Sequence, residues 1–344
     1  GITGANLATA QSVITDSTTS ENRATGLGLI GAVYGIGFVL GPILSGIALL
    51  LTDSNYAAPA FLAAGFALLS VILTTFMLDE THPPEERGGE TKERGVNFGR
   101  LFQYFIDPSL GPVFWLVLGQ SIIFGAFYLT FAPFTLNVLG LDILGNTIFF
   151  AVFGIISATM QGGFTGRLSS RYGERTLVLS GLMLYSIGFL LVSTTPHVAV
   201  PWYSRDALTE EIQQQVNSDA GEIEGQLALL PSEENKGIGG LIYILIAILP
   251  VPIGFGIANP NINSLITKRG DPSKIGEALG VGAAFLALGN VIGPLIGGAL
   301  FDYIGPNSVT RVGGIAGFIL LYMLSSRITK RAGDEKKLDD DFSG

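Results

Sequence analysis

Five uncharged polar side chains lie deep within apolar runs of this sequence, at positions where they could bind another molecule. These residues are Gln120, Tyr128, Gln161, Asn259 and Asn261. Amide and phenol groups donate and accept hydrogen bonds, and the first two residues have Phe124, Phe127 and Phe131 as aromatic neighbours. This combination suits an amphipathic organic molecule, held by ring stacking and a few hydrogen bonds. Alternatively, each polar group makes a hydrogen bond between helices and contacts no ligand.

Ionisable residues do not lie in the middle of the apolar runs; Asp16, Glu277, Asp302 and Arg311 all lie at the ends of runs. The sequence contains no nucleophile–base pair, phosphate-binding loop or metal-ligand cluster, so it indicates neither an enzyme nor a metal or cofactor site. It has no cysteine, and its two histidines lie in separate polar stretches. The net charge of -9 argues against a nucleic-acid partner.

The composition is typical of a membrane protein, because 48% of the 344 residues are hydrophobic, only 14% are charged, and the mean hydropathy is +0.50. A membrane-spanning helix needs about 20 apolar residues. Nine segments fit, the first only in part: 1–15, 27–51, 57–78, 113–136, 143–165, 176–195, 241–267, 277–301 and 306–326. Pro250, Pro252 and Pro260 predict an irregular helix in the seventh segment. We therefore predict an all-α membrane protein.

A glycine-proline template occurs twice in these segments. Its residues are Gly28, Gly37, Gly41, Pro42, Ser45 and Gly46 in the first copy, and Gly280, Gly289, Gly293, Pro294, Gly297 and Gly298 in the second. Small residues spaced by four let membrane helices pack closely, but that does not explain a proline at the same place in both copies. Proline inside a membrane helix is tolerated where neighbours satisfy the freed carbonyl. The repeat indicates a duplicated transporter.

On this template the sequence resembles the major facilitator superfamily, whose drug/proton antiporters carry such an antiporter motif in helix 5. Residues 1–26 resemble helix 4 and the following loop of tetracycline-efflux proteins. The resemblance implies the major facilitator fold, with helices 4 to 12 of an expected twelve present. Since residue 1 falls inside an apolar segment, we expect the chain to be a fragment.

A second stretch, residues 161–175, resembles the loop motif between helices 8 and 9 of that superfamily. The motif residues are Gly166, Arg167, Arg171, Gly173 and Arg175. Ser170 stands where the motif has Asp, and Glu174 stands where it has Arg. Arginines on such a turn can pair with helix C-termini or carboxylates and latch one state of a rocking transporter, or they can serve only as membrane anchors.

The resemblance implies export of small amphipathic compounds by exchange for protons, through alternating access, in a monomer within the lipid bilayer. In such antiporters the coupling carboxylates lie in the first helices, upstream of residue 1. The glycine faces would pack helix 5 against helix 8 and helix 11 against helix 2. A uniporter or symporter for sugars or metabolites has the same fold, and a non-transporting sensor or scaffold is a remote alternative.

The chain divides into residues 1–78 (part of the N-terminal bundle), 79–112 (linker), 113–326 (six-helix bundle, with an acidic loop at 196–240) and 327–344 (tail). Phe98, Leu101, Phe102 and Phe105 predict a short helix that lies in the membrane interface or packs on the linker. We expect the acidic loop to be solvated, or to form a small helical cap, and the tail to be disordered beyond Gly333.

Lys and Arg residues concentrate in alternate loops, on one side of the predicted spans. The only exceptions among the 19 are Arg205, Lys236 and Arg311. The positive-inside rule therefore places the linker and the tail in the cytoplasm. We expect a multi-pass protein of the plasma (inner) membrane.

Overall fold

The structure, a computed structural model, describes residues 10, 13–14, 17, 23–52, 55, 57–78, 98–206, 208–209, 230–271 and 275–342. Its helices are α1 (Arg23–Leu51), α2 (Ala57–Met77), α3 (Phe98–Ile106), α4 (Gly111–Leu139), α5 (Ile143–Thr159), α6 (Thr165–Tyr172), α7 (Glu174–Val192), α8 (Gly239–Ile248), α9 (Pro250–Arg269), α10 (Ile275–Ile304) and α11 (Ser308–Phe342). A π turn, Met160–Phe164, joins α5 to α6.

Seven helices in the described part of the chain are long and apolar enough to cross a membrane. Two of these spans are composite, because α5, the π turn and α6 form one, and α8 and α9 form another. Helix α1, with 29 residues, occupies the predicted span 27–51. The first predicted span, 1–15, lies almost wholly outside the described residues. The helices thus follow the predicted order.

Short-range caps fix where the central helices begin and end. The Asp107 carboxylate accepts hydrogen bonds from the N–H groups of Ser109 (2.7 Å) and Leu110 (2.8 Å), just before α4 begins. Helix α4 ends at Gly140, which has φ of 65° and donates its N–H to the Leu136 carbonyl. The Asp142 carboxylate then accepts the Gly145 N–H at 2.8 Å and starts α5. Each cap satisfies backbone groups that a helix end leaves free.

Aromatic side chains form the interior of the bundle made by α4 to α11. Phe127 packs on Phe131 and Phe189 with ring centroids 4.9 Å apart in both pairs, and Tyr185 meets Phe189 edge-on at 4.4 Å. All four are nearly inaccessible. Because lipid is as apolar as this interior, dispersion contacts and ring geometry hold the helices together, rather than transfer of apolar surface from water.

Helix α3 forms where the Phe98 stripe predicted it, and it packs on the bundle. The Phe105 ring lies 3.9 Å from that of Trp115 in α4 and 5.1 Å from that of Phe285 in α10. Phe102 and Ile106 remain exposed. The helix therefore docks on α4 and α10; linker residues 79–97 lie outside the described residues. We call this end of the bundle the linker end.

The acidic loop is hydrogen-bonded to neighbouring segments at both of its ends. The Val200 N–H donates to the Leu139 carbonyl at the end of α4, and the buried Tyr203 hydroxyl donates to Pro231 O at 3.0 Å. Burial raises the pKa of Tyr203, while the Arg205 N–H, bonded to the Glu233 carboxylate at 2.8 Å, lowers the pKa of that carboxyl. Residues 210–229 lie outside the described residues. We call this end of the bundle the loop end.

The tail differs from the prediction of disorder beyond Gly333, because α11 continues to Phe342. The residues after Gly333 include Glu, Lys and Leu, which are strong helix formers, and a single glycine weakens a helix by only about 1 kcal/mol.

The irregular helix predicted from Pro250, Pro252 and Pro260 is confirmed, since the span breaks between α8 and α9 at Leu249.

Candidate functional site

The second copy of the template lies on α10 and packs directly on the backbone of α4. A Cβ added at Gly289 would overlap Ser121, one at Gly293 would overlap the Ile122 carbonyl oxygen, and one at Gly297 would lie 2.8 Å from Ala126 Cα. Three glycines spaced by four thus form a stripe, which we call the α10 stripe. It lets two backbones meet without side chains between them.

The first copy of the template lies on α1, and its packing differs. Helix α1 packs on α5, where a Cβ at Gly46 would lie 3.1 Å from Thr147 Cγ2. Helices 5 and 8 of the resemblance thus contact each other here through Gly46. At Gly37 and Gly41 an added Cβ would meet no described side chain or neighbouring backbone within 4 Å. Gly28 lies in α1, but its surroundings fall outside the described part.

The α10 stripe packs on α4, while the expected packing of the helix 11 glycine face on helix 2 stays a prediction, since the resemblance places helix 2 outside this chain. The glycines of the second copy do not all share one helix face. Gly289, Gly293 and Gly297 share one helix face, whereas Gly298 lies one residue further round the helix. At Gly280 and Gly298 an added Cβ would meet no described atom of another element within 4 Å.

Both prolines lie nineteen positions after the first residue of their helix, from Arg23 to Pro42 and from Ile275 to Pro294. Pro294 contributes to the α4 contact, because a Cβ at Gly125 would lie 3.1 Å from its Cδ. Neither proline ends its helix, so the two copies are equivalent in sequence and in place along the helix.

A cleft of about 710 Å³ opens between α1 and the α4–α5 pair. Its lining residues are Val33, Gly37, Gly41, Pro42, Ser45, Tyr128, Ala132, Asn146, Thr147 and Phe150. Its volume falls in the range of pockets that hold drug-sized molecules. No charged side chain is among the lining residues, and the polar groups are one phenol, one amide and two hydroxyls. The cleft can therefore offer stacking and hydrogen bonds.

An aromatic wall continues from the cleft into the bundle. Tyr128 lies 5.4 Å from Phe150 and 6.0 Å from Phe124, and Phe124 stacks on Phe255 of α9 at 4.7 Å. Tyr128 is 53% exposed and is one of the residues that line the cleft. Such a wall suits planar or amphipathic molecules.

The five predicted polar residues occupy different environments. Tyr128 lines the cleft, Asn259 is half-buried, and Gln161 is half-buried with its amide donating to Ser157 Oγ at 3.0 Å. Gln120 and Asn261 lie inside the bundle, at 5% and 2% exposure. The Asn261 amide donates to the Ile257 carbonyl of its own helix at 2.7 Å. The structure therefore does not gather the five into one site.

The loop motif forms the turn between α6 and α7, at the linker end. Arg167 donates to the Gly163 carbonyl at 3.0 Å, and the Arg171 guanidinium lies 5.3 Å above the Tyr172 ring. Gly173 has φ of 76°, a conformation that glycine adopts without strain. The two arginines thus contact their own segment.

The ion pair at this turn instead involves Glu174, the residue that departs from the motif. Its carboxylate accepts from Lys268 Nζ of α9 at 2.6 Å and from Ser264 Oγ at 3.3 Å. The Arg175 side chain lies next to this pair in sequence, and its Nε is buried. The motif turn thus ties α7 to the end of α9 through a carboxylate.

Sequence reasoning missed several residues that shape the site. Asn146 is buried in α5 and accepts a hydrogen bond from the Thr135 hydroxyl of α4 at 2.6 Å. Phe150 and Phe255 complete the aromatic wall. Asn146 could have been identified from the sequence as a polar residue near the start of the predicted span 143–165. Phe150 and Phe255 could not, since aromatic residues in apolar runs have no distinctive spacing.

Apolar helices, four of which contain an internal proline in the described part of the chain, and of which α4 and α10 meet closely through the α10 stripe, define a multi-pass, all-α membrane protein. The chain belongs to the Major Facilitator Superfamily, which it matches over residues 1–207 and 228–341. The predicted family and fold are thereby confirmed. The superfamily consists of membrane transporters and not of enzymes.

Several characterised proteins are similar to this chain. Rat solute carrier family 22 member 18 is 25% identical over 338 residues, 96% of this chain and 70% of the rat protein. The class C tetracycline resistance protein of Escherichia coli is 30% identical over 258 residues, 67% of this chain and 60% of that protein. Multidrug resistance protein 1 of Bacillus subtilis is 28% identical over 292 residues, 84% of this chain and 61% of that protein.

Among solved structures, the human organic anion transporter MFSD10 (TETRAN) is similar with a TM-score of 0.59 and 19% identity. The match covers 93% of this chain and 67% of the human one. At that identity the likeness supports the fold alone. The chain spans about 60 to 70% of the length of these four proteins.

Proposed function

We propose that the protein exports small amphipathic organic compounds across the plasma (inner) membrane, in exchange for protons and by alternating access. The observation that carries this proposal is the cleft between α1 and the α4–α5 pair. It combines aromatic lining residues with a few uncharged polar groups, next to the first copy of the antiporter template. Similar proteins named for tetracycline resistance and multidrug resistance support a drug-like substrate.

The aromatic wall supports the substrate class. Tyr128, Asn146 and Thr147 all line the cleft, so a planar molecule there could meet an aromatic ring beside an amide and a hydroxyl. Such a surface binds by shape and stacking and tolerates varied molecules. Gln161 and Asn259, both half-buried, are further positions from which an amide could reach a substrate.

The packing of the α10 stripe supports alternating access. A direct backbone contact between α4 and α10 leaves no passage between these helices. We therefore place the substrate path between the N-terminal bundle and the six-helix bundle, and we call this the central space. The two copies of the template would keep this seal while the halves rock against each other. The charge distribution supports a cytoplasmic linker end, since most Lys and Arg residues lie there.

Flux in proteoliposomes tests the proposal. The whole protein is reconstituted, a proton gradient is imposed, and uptake of tetracycline and of a fluorescent lipophilic cation is followed. We expect accumulation that follows the gradient and that a protonophore abolishes. Uptake that ignores the gradient would indicate a uniporter, and no flux of either probe would overturn the proposal.

A further inference from the structure

Helix α9 contains a proline whose freed carbonyl oxygen lies near a hydroxyl of a neighbouring helix. Pro260 has no N–H, so the Gly256 carbonyl, four residues earlier, lacks its intrahelical partner. The hydroxyl of Thr165, which is buried, lies 3.4 Å from this carbonyl oxygen and 2.7 Å from the Met160 carbonyl oxygen. One hydroxyl is thus placed between two helices at the level of the proline.

The compensating residue follows directly on the π turn Met160–Phe164. In this turn the Thr165 N–H donates to the Met160 carbonyl, five residues back, and the helix contains one residue more than an α-helix of the same course. A Cβ at Gly256 would lie 2.8 Å from both Met160 Cβ and the Ser157 carbonyl oxygen, so α9 lies directly against the turn. The two irregular segments therefore form one contact.

The two ends of α9 are held very differently. Towards the loop end, Gly254 and Gly181 bring α9 and α7 into backbone contact, since a Cβ at Gly181 would lie 2.7 Å from the Gly254 carbonyl oxygen. Towards the linker end, α9 is tied to α7 by the Lys268–Glu174 ion pair. The Lys268 side chain is 61% exposed and that of Glu174 is 20% exposed, so solvent screens this pair in part. The buried Ile266 also packs against α10 there, since a Cβ at Gly282 would lie 3.2 Å from its Cδ1. The irregular segments lie between the backbone contact and the ion pair.

We infer that the π turn and Pro260 form one paired hinge, about which α6 and the linker-end half of α9 move together, with Thr165 as its positioning residue. The Thr165 hydroxyl bonds the Met160 carbonyl and makes a longer, shared contact to the Gly256 carbonyl, and the extra residue of the π turn brings that hydroxyl into place. Separating the Glu174–Lys268 pair would free the linker-end half to move. This inference rests on the proposed transport function, because the movement would open the central space towards the linker end.

A one-residue deletion tests the hinge. Removing Gly162 from the whole protein converts the π turn to an α-helical turn and keeps the helical register on both sides. The control Gly162→Ala keeps the residue count, and an added Cβ there meets no described atom of another element within 4 Å. We expect the deletion to lower the initial transport rate at least tenfold, on the order of 1.4 kcal/mol in the barrier, and the control to retain transport. Wild-type transport by the folded deletion variant would overturn the hinge.

A second measurement does not depend on transport and therefore separates failure of the hinge from failure of the proposed function. Thermal unfolding in detergent is compared for three single variants, Thr165→Val, Thr165→Ser and Pro260→Ala. The fourth protein is the double variant that carries both Thr165→Val and Pro260→Ala. We expect Thr165→Val to lower Tm and Thr165→Ser to keep it. In the Pro260→Ala background the effect should at least halve, because residue 260 then donates its own N–H to Gly256 O. Additive shifts in Tm would overturn the role of Thr165.

Discussion

Replacing Gly293 by alanine tests how tightly the α10 stripe packs. The new Cβ would overlap the Ile122 carbonyl oxygen and lie 2.9 Å from the Ala126 nitrogen, so α10 and α4 must separate. Overpacking destabilises by about 1–3 kcal/mol, and the upper end applies here because the overlapping atoms are backbone. Alanine recovers about 1 kcal/mol through its higher helix propensity. The net loss in the free energy of unfolding is therefore about 2 kcal/mol.

Gly298→Ala is the matched control, since it changes the same helix on a face where an added Cβ meets no described atom of another element within 4 Å. We expect Gly298→Ala to keep or raise the Tm of the purified protein in detergent, and Gly293→Ala to lower both Tm and the export rate. Equal Tm values for the two variants would refute the argument.

Gly41→Leu places a large side chain in the cleft, and it should block export without lowering Tm.

Three further predictions concern the loop end and the cleft. Gly140→Ala should lower Tm, because positive φ strains alanine by about 1 kcal/mol and the Cβ would overlap the Tyr203 ring. The loss of Tm caused by Gly140→Ala should be smaller when Tyr203 is also replaced by alanine. Thr135→Val should destabilise by about 1–3 kcal/mol in thermal unfolding, since it removes the donor to the buried Asn146 oxygen, whereas Thr135→Ser should not. Tyr128→Ala should raise KM for aromatic substrates about 2- to 10-fold in proteoliposomes through lost stacking, and unchanged KM would exclude Tyr128 from the site.

The sequence predicted the helices well because apolar length and proline position are local properties. Helix α3 was found from four residues at helical spacing, and the break near Pro250 from proline chemistry. What it could not predict is which face of a helix meets which neighbour. The α10 stripe is the example, since its glycine spacing indicated close packing but not that the partner would be α4.

The candidate site was harder to predict than the fold, because burial decides the role of a polar residue. Gln120 and Asn261 resemble Tyr128 in the sequence, since each is polar within an apolar run. In the structure Asn261 bonds its own helix, and Tyr128 faces the cleft. Depth along a helix can be counted from the sequence, but the direction of a side chain depends on how the helix is rotated against its neighbours.

The two copies of the template also show that the sequence does not determine helix packing, because identical spacing gives two different packings. On α10 the three glycines meet a helix with small residues at the contact, Ser121 and Ala126. On α1 the equivalent positions face the cleft, and the contact moves one residue round the helix, from Ser45 to Gly46. A glycine stripe therefore permits close approach without requiring it, and the neighbouring helix decides whether the stripe forms a helix contact or the wall of a cleft.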